Sequence, residues 1–223
     1  MIPYLAEPVW HAGPIAIHAF GFFAAVALLT GFRLFGKRAP LYGVTSSQAE
    51  RTYVVCVLVG LLGGFAWTGG SGVSLAGMTL TGLGTILALG HRWGWRILDL
   101  SGYVLPIVLA VARFGCFLAH DHLGAFTSHW LGVQFPGGSR FDLGLLYFLA
   151  ASLCSALIAW LSRKILPDGV LFGAAATMLA STRLLIHELA GAGDDALDRA
   201  LSAGFLAVGI AIVLWRRIRR QRA

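Results

Sequence analysis

Leu-Gly-Leu-Leu-Tyr-Phe-Leu-Ala-Ala-Ser-Leu-Cys-Ser-Ala-Leu-Ile-Ala-Trp-Leu-Ser (143–162) runs without a charge and stops at Arg163 and Lys164. An apolar helix of about 20 residues spans the hydrocarbon of a bilayer, and Lys and Arg collect at its cytoplasmic end. Working outward from this stretch, breaks at charge, Pro and Gly clusters leave spans near 14–35, 52–68, 76–90, 97–119, 142–162, 169–189 and 199–215. The third is short and Gly-rich. The reading is an all-α integral membrane protein of about seven spans, forming a single transmembrane domain over 1–223.

Loop charges test that count independently. Starting outside, the odd-numbered loops carry Arg33, Lys37, Arg38 and Arg51, then His91, Arg92 and Arg96, then Arg163 and Lys164, then Arg216, Arg217, Arg219, Arg220 and Arg222. The even-numbered loops run the other way: 68–75 is uncharged, 120–141 holds Arg140 as its single Lys or Arg, and 189–198 is acidic through Asp194, Asp195 and Asp198, with Arg199 following. This alternation predicts an N-terminus outside and a cytoplasmic C-terminus. The segment 120–141, with Trp130, Phe135 and Pro136, is expected at the outer interface as a short helix or arm.

Composition agrees: 57% of the residues are hydrophobic, 12% are charged and the mean hydropathy is +0.77. The net charge of +7 sits at span ends rather than in a patch interleaved with aromatics, which argues against nucleic acid and for anionic lipid headgroups as its partner. Cys56, Cys116 and Cys154 have no paired spacing, so neither a disulfide framework nor a metal site is expected, and no cofactor is implied. The first apolar run lacks a basic leader and is expected to stay in the mature chain. No internal repeat and no second polar helix face suggest a two-halved transporter.

Ionisable residues at membrane depth cost about 2.5–3.5 kcal/mol each at mid-helix on insertion scales and need a partner or a function. Arg113 lies six residues from the outer end of the fourth span, and Arg183 stands at similar depth on the sixth. Two guanidiniums at one depth suit a shared phosphate, or each pairs with an acid, Arg183 with Asp121 or Arg113 with Glu188. Helical spacing puts Cys116, Phe117 and His120 on the face of Arg113. His120, Asp121 and His122 then form either a proton-moving cluster or an interfacial polar cap. His187, one turn after Arg183, is a second general-base candidate. Cys116 reads as nucleophile or as small packing.

Met-Ile-Pro-Tyr-Leu-Ala-Glu-Pro-Val (1–9), Gly-Pro-Ile-Ala-Ile-His (13–18) and His-Trp-Leu-Gly-Val-Gln-Phe-Pro (129–136) resemble the prolipoprotein diacylglyceryl transferases of bacterial inner membranes. That family's Gly-Arg-x-Gly-Asn-Phe-x-Asn signature falls on 112–119, where Arg113, Gly115 and Phe117 remain and both asparagines are replaced. Its His-Pro-x-Gln-Leu-Tyr-Glu motif has decayed to Arg-Phe-Asp-Leu-Gly-Leu-Leu-Tyr-Phe (140–148). Its second arginine falls on Arg183, the Glu after it on His187, its first-span Tyr on Phe20 and its third-span His on Thr81. The resemblance implies a multi-pass protein of the bacterial cytoplasmic membrane that moves diacylglycerol from phosphatidylglycerol to a prolipoprotein cysteine. It implies a lipid site built from Arg113, Arg183, Gly115, Phe117, Cys116, Thr81 and Phe20, with His120, His187 and Asp121 left for the chemistry. The same substitutions fit a paralogue with another acceptor, or a catalytically inactive phospholipid-binding or assembly protein.

Overall fold

A computed structural model describes residues 1–72, 74–91, 93–190 and 196–221. Arg92, Asp194, Asp195 and Arg222, used above for the charge alternation, lie outside the described residues. Six helices are long and apolar enough to cross a membrane, and a seventh apolar helix is shorter. The chain is an all-α multi-pass membrane protein carrying a small β platform at one end.

The elements run β1 (Ile2–Pro3), β2 (Val9–Ala12), β3 (Ile15–His18), α1 (Ala19–Arg38), α2 (Ser46–Trp67), α3 (Leu75–Gly90), α4 (Trp95–Ala119), β4 (Leu123–Phe126), β5 (Val133–Phe135), β6 (Gly138–Asp142), α5 (Leu143–Leu161), α6 (Val170–Ala190) and α7 (Ala196–Gln221). The first span begins later than hydropathy suggested. Residues 14–18 fall at the turn and second strand of the β2–β3 hairpin, which turns at Gly13 with φ +62°. A 3-10 turn, Ala39–Tyr42, links α1 to α2 and ends in the left-handed Gly43. Thr45 and Ser74 cap α2 and α3 by accepting the Gln48 and Gly77 amides.

The segment 120–141, expected as a short helix or arm, forms strands. Pro136 and Gly137 make a two-residue turn between β5 and β6, and Gly138 at φ +117° takes a backbone shape that L side chains avoid. The four-stranded order is β1-β5-β6-β4, with β1 parallel to β5 through Ile2 opposite Val133. The first residues of the chain are thereby stitched onto the segment that follows α4.

Helix α4 is the central post, packed against α1, α5 and α6, while α3 lies along α2 and α7 along α6. Lipid tails are as apolar as the helices, so association depends on close packing and buried polar links rather than on hydrophobic exclusion. Gly102 shows the first device: a Cβ there would lie 2.7 Å from the Phe172 Cα, so α4 and α6 meet backbone to backbone. Asp99 shows the second. Its carboxylate, 6% exposed, accepts the Gly169 amide at 2.6 Å and the Phe172 amide at 2.8 Å, capping the start of α6 from a neighbouring helix. Ile97, Leu100, Val104 and Ile158 pack around this junction.

Candidate functional site

At the opposite end of α4 the helix ends on His120, whose φ of +50° is the one left-handed backbone outside glycine among the described residues. A non-glycine residue in that region is held there by its surroundings. Here the ring does the holding. Its Nδ1 lies 2.5 Å from Asp142 Oδ2, and Nε2–H donates to the Leu5 carbonyl at 2.9 Å. The carbonyl only accepts, so Nε2 carries a hydrogen, and one proton is shared between Nδ1 and the carboxylate. Tyr4 stacks on the ring at 5.0 Å, and Phe117 and Phe135 meet it edge-on.

Asp142 is fully buried, and its other oxygen accepts the Leu145 amide at 3.0 Å, which makes it the N-cap of α5. Burial pushes its carboxyl up from the usual range, while His120 and the α5 amides pull the other way. One aspartate therefore ties together the end of α4, the start of α5 and, through His120, the N-terminal segment.

The stretch Gly115-Cys116-Phe117 lies between two helices. A Cβ on Gly115 would stand 2.7 Å from Phe23 Cβ and 3.4 Å from the Ala19 carbonyl of α1; a Cβ on Gly144 of α5 would stand 2.5 Å from the Phe117 nitrogen. Both glycines are there for backbone approach. The half-exposed Phe20 lies at the α1 side of this contact, its Cα 3.4 Å from the Cβ position of Gly115.

Arg113 is half-buried, with its guanidinium 4.7 Å above the Tyr147 ring of α5. The buried Cys116 thiol lies within interaction reach of Arg113 and of Asp121. Asp121 in turn pairs with His122 Nδ1 at 3.0 Å, the two side chains 32% and 48% exposed. That hydrogen bond to Asp121 raises the His122 pKa, against a smaller opposing effect of burial.

Tyr147 carries the site across to α6, packing against a cluster of Leu143 and Ile186. Arg183 stands one turn before Ile186 and is half-buried. His187, next to Ile186, is 6% exposed and accepts a hydrogen bond on Nδ1 from Arg199 Nε at 3.3 Å; Arg199 also pairs with Glu188 at 3.6 Å. Arg113 lies six residues from the end of α4 and Arg183 seven from the end of α6, about 9 and 10 Å along the axes.

The end of the bundle thus gathers Arg113, Gly115, Cys116, Phe117, His120, Asp121 and, through Tyr147 and Ile186, Arg183 and His187. Thr81 packs between α2 and α3: its hydroxyl donates to the Gly77 carbonyl at 2.7 Å, and its side chain fills the space left by Gly63. Sequence reasoning passed over Asp142 and Tyr147 as functional residues. Asp142 was within reach, because an aspartate directly before an apolar run is an N-cap signal.

No protein-family model matches the chain. Among curated proteins it is similar to phosphatidylglycerol--prolipoprotein diacylglyceryl transferase 2 of Clostridium perfringens, 24% identical over 152 residues that cover 59% of each protein. The match to the transferase of Cutibacterium acnes is 25% over 199 residues, covering 73% of this chain and 67% of that one. That to the enzyme of Francisella tularensis subsp. holarctica is 25% over 190 residues, covering 71% and 70%. The chain therefore spans less than two thirds of the first of these relatives and about two thirds of the others. It is distantly related to the prolipoprotein diacylglyceryl transferases.

Proposed function

We propose that the chain is a phospholipid-dependent transferase of the bacterial cytoplasmic membrane, its N-terminus outside. It moves the diacylglyceryl group of phosphatidylglycerol to the thiol of a prolipoprotein cysteine. The observation that carries this reading is Arg113, laid over Tyr147, which packs on the cluster of Leu143 from α5 and Ile186 from α6, with Arg183 one turn from Ile186. Two guanidiniums at one depth match the oxygens of a phosphodiester and stabilise the charge that grows on it as it leaves. The names of the relatives supply the donor and acceptor classes.

In this reaction the acceptor sulfur attacks the glyceride carbon bonded to the phosphate oxygen. The C–O bond breaks and its electron pair leaves on glycerol phosphate, while the thiol proton passes to a base and then to the departing phosphate. Both nitrogens of His120 are engaged, and the Nδ1 lone pair of His187 is taken by Arg199. His122, oriented by Asp121 at 3.0 Å and half-exposed, is the group placed to take that proton.

The test incubates purified protein in detergent with phosphatidylglycerol labelled in its headgroup glycerol and a lipobox cysteine peptide. Release of glycerol phosphate with a diacylglyceryl mass gain on the peptide is the expected result. Arg113→Gln and Arg183→Gln should each lower it by two orders of magnitude or more, about 3 kcal/mol of lost transition-state stabilisation. A second reading, an inactive phospholipid-binding protein, is favoured by the engagement of His120 and His187. Lipid retained by the parent without any release would establish that reading instead.

A further inference from the structure

His187 was expected to act as a base, and its surroundings point to the opposite role. A guanidinium offers only donors, so the ring nitrogen that faces Arg199 Nε at 3.3 Å must present its lone pair, and the ring hydrogen belongs on Nε2. A hydrogen on Nδ1 would face the Arg199 N–H and break that bond, and the ring is only 6% exposed. Glu188, at 3.6 Å from Arg199, holds the guanidinium in turn. The order Glu188, Arg199, His187 fixes one tautomer and leaves the ring a single function, donation from Nε2–H. No described residue receives that hydrogen.

The groups around it are donors as well. Arg183 precedes His187 by one helical turn, on the same face of α6. Arg113 lies over Tyr147, which packs on the cluster that contains Ile186, the residue before His187. A ligand that lies against guanidinium donors and a neutral imidazole N–H is one that only accepts, and an ionised phosphate is such a group.

We propose that His187 is a neutral hydrogen-bond donor to a phosphate oxygen of the lipid headgroup, held in its Nε2–H tautomer by Arg199 as a positioning residue. This rests on the two-arginine phosphate site proposed above and adds a third donor to it. The site then selects its lipid by the acceptor oxygens of the phosphate, and the proton of the acceptor thiol goes elsewhere.

The experiment uses the full chain, purified in detergent and stripped of lipid, titrated with phosphatidylglycerol and separately with glycerol phosphate and inorganic phosphate. His187→Leu removes donor and acceptor together; His187→Gln supplies an amide N–H for the ligand and a carbonyl for Arg199 but no base. Losing a hydrogen bond to a charged group predicts phosphatidylglycerol binding about tenfold weaker in His187→Leu, with Gln restoring most of the loss in both binding and turnover. If Gln binds lipid as the parent does but loses turnover as fully as Leu, His187 is a base and the proposal is overturned. Unchanged lipid binding in His187→Leu also overturns it, and an effect confined to the soluble phosphates moves the site off the lipid and does the same.

A spectroscopic arm tests Arg199. In protein labelled with 15N-histidine, the His187 signal, identified by its absence in His187→Gln, should show hydrogen on Nε2, and Arg199→Met should release that preference while Arg199→Lys keeps it. Hydrogen on Nδ1 in the parent would refute the arrangement outright. Arg113→Gln and Arg183→Gln serve as the reference: if they leave lipid binding intact, the phosphate site itself is wrong. If they abolish binding that His187→Leu retains, only the role of His187 falls.

Discussion

Asp99 and Asp142 stand at opposite ends of α4, both buried, and both join that helix to the start of another. Asp99 does so with backbone alone: its two oxygens take the Gly169 and Phe172 amides of α6. Asp142 gives one oxygen to the Leu145 amide of α5 and the other to His120, which passes the link on to the Leu5 carbonyl. The first junction closes on itself. The second goes through an imidazole ring and ends on the N-terminal segment, so a change at Asp142 reaches a distant part of the chain where one at Asp99 reaches only its own junction.

The sharpest way to break the comparison is to delete each carboxylate. Asp99→Ala leaves two buried amides unpaired in an apolar setting and should cost about 3 kcal/mol. The expected reading is a large fall in the detergent melting temperature, with lipid affinity of the surviving folded fraction unchanged. Asp142→Ala loses an N-cap and the His120 bond, about 2 kcal/mol. It should also expose the peptide bonds around Tyr4 and Leu5 to protease. If Asp99→Ala were the variant that loosened the N-terminal segment, the two junctions would not differ in kind.

A smaller effect separates packing from chemistry. Gly102→Ala presses a Cβ to 2.7 Å from Phe172 Cα, and Gly144→Ala presses one to 2.5 Å from the Phe117 nitrogen. Each should cost about 1–2 kcal/mol through backbone shifts. Gly144→Ala moves α5, with its Tyr147, against the Arg113 segment and should weaken phosphatidylglycerol binding several-fold. Gly102→Ala should leave it within twofold. Equal losses in a lipid titration would mean that α4 transmits strain along its whole length.

The fold was legible because charge and hydropathy mark helix ends residue by residue: Arg163 and Lys164 close α5, and the order of helices follows from such stops. The β platform is harder to see, because strands as short as Val133–Phe135 and Gly138–Asp142 carry too few residues for a clear alternation, and the Pro136–Gly137 turn between them is the one local hairpin signal. Arg113 and Arg183 stand out in the sequence because a charged side chain costs so much in lipid. The roles of the histidines were hidden, since nothing local to His120 announces Leu5, 115 residues away, and nothing local to His187 announces the Nε of Arg199. Thr81 was named by resemblance alone, and nothing local to it announces the Gly63 space on α2 that its side chain fills.

The finest test of the difference between the two ends is pH, because a titrating histidine with a raised pKa stands at one of them. His122 owes its rise chiefly to the hydrogen bond it donates to Asp121, with burial opposing. A histidine whose pKa is higher folded than unfolded stabilises the protein below its unfolded value, about 6.5, and loses that contribution as pH rises through the folded one. Melting temperature should therefore decline gently from pH 6 to pH 8, and His122→Asn should flatten part of the slope. With the pair half-exposed the effect is small. Asp99→Asn, at the end built on backbone amides, serves as the contrast: it should lower the curve while leaving the His122-dependent slope in place. A slope that survived His122→Asn unchanged would take the titration away from His122, and with it the proton that this histidine is proposed to carry.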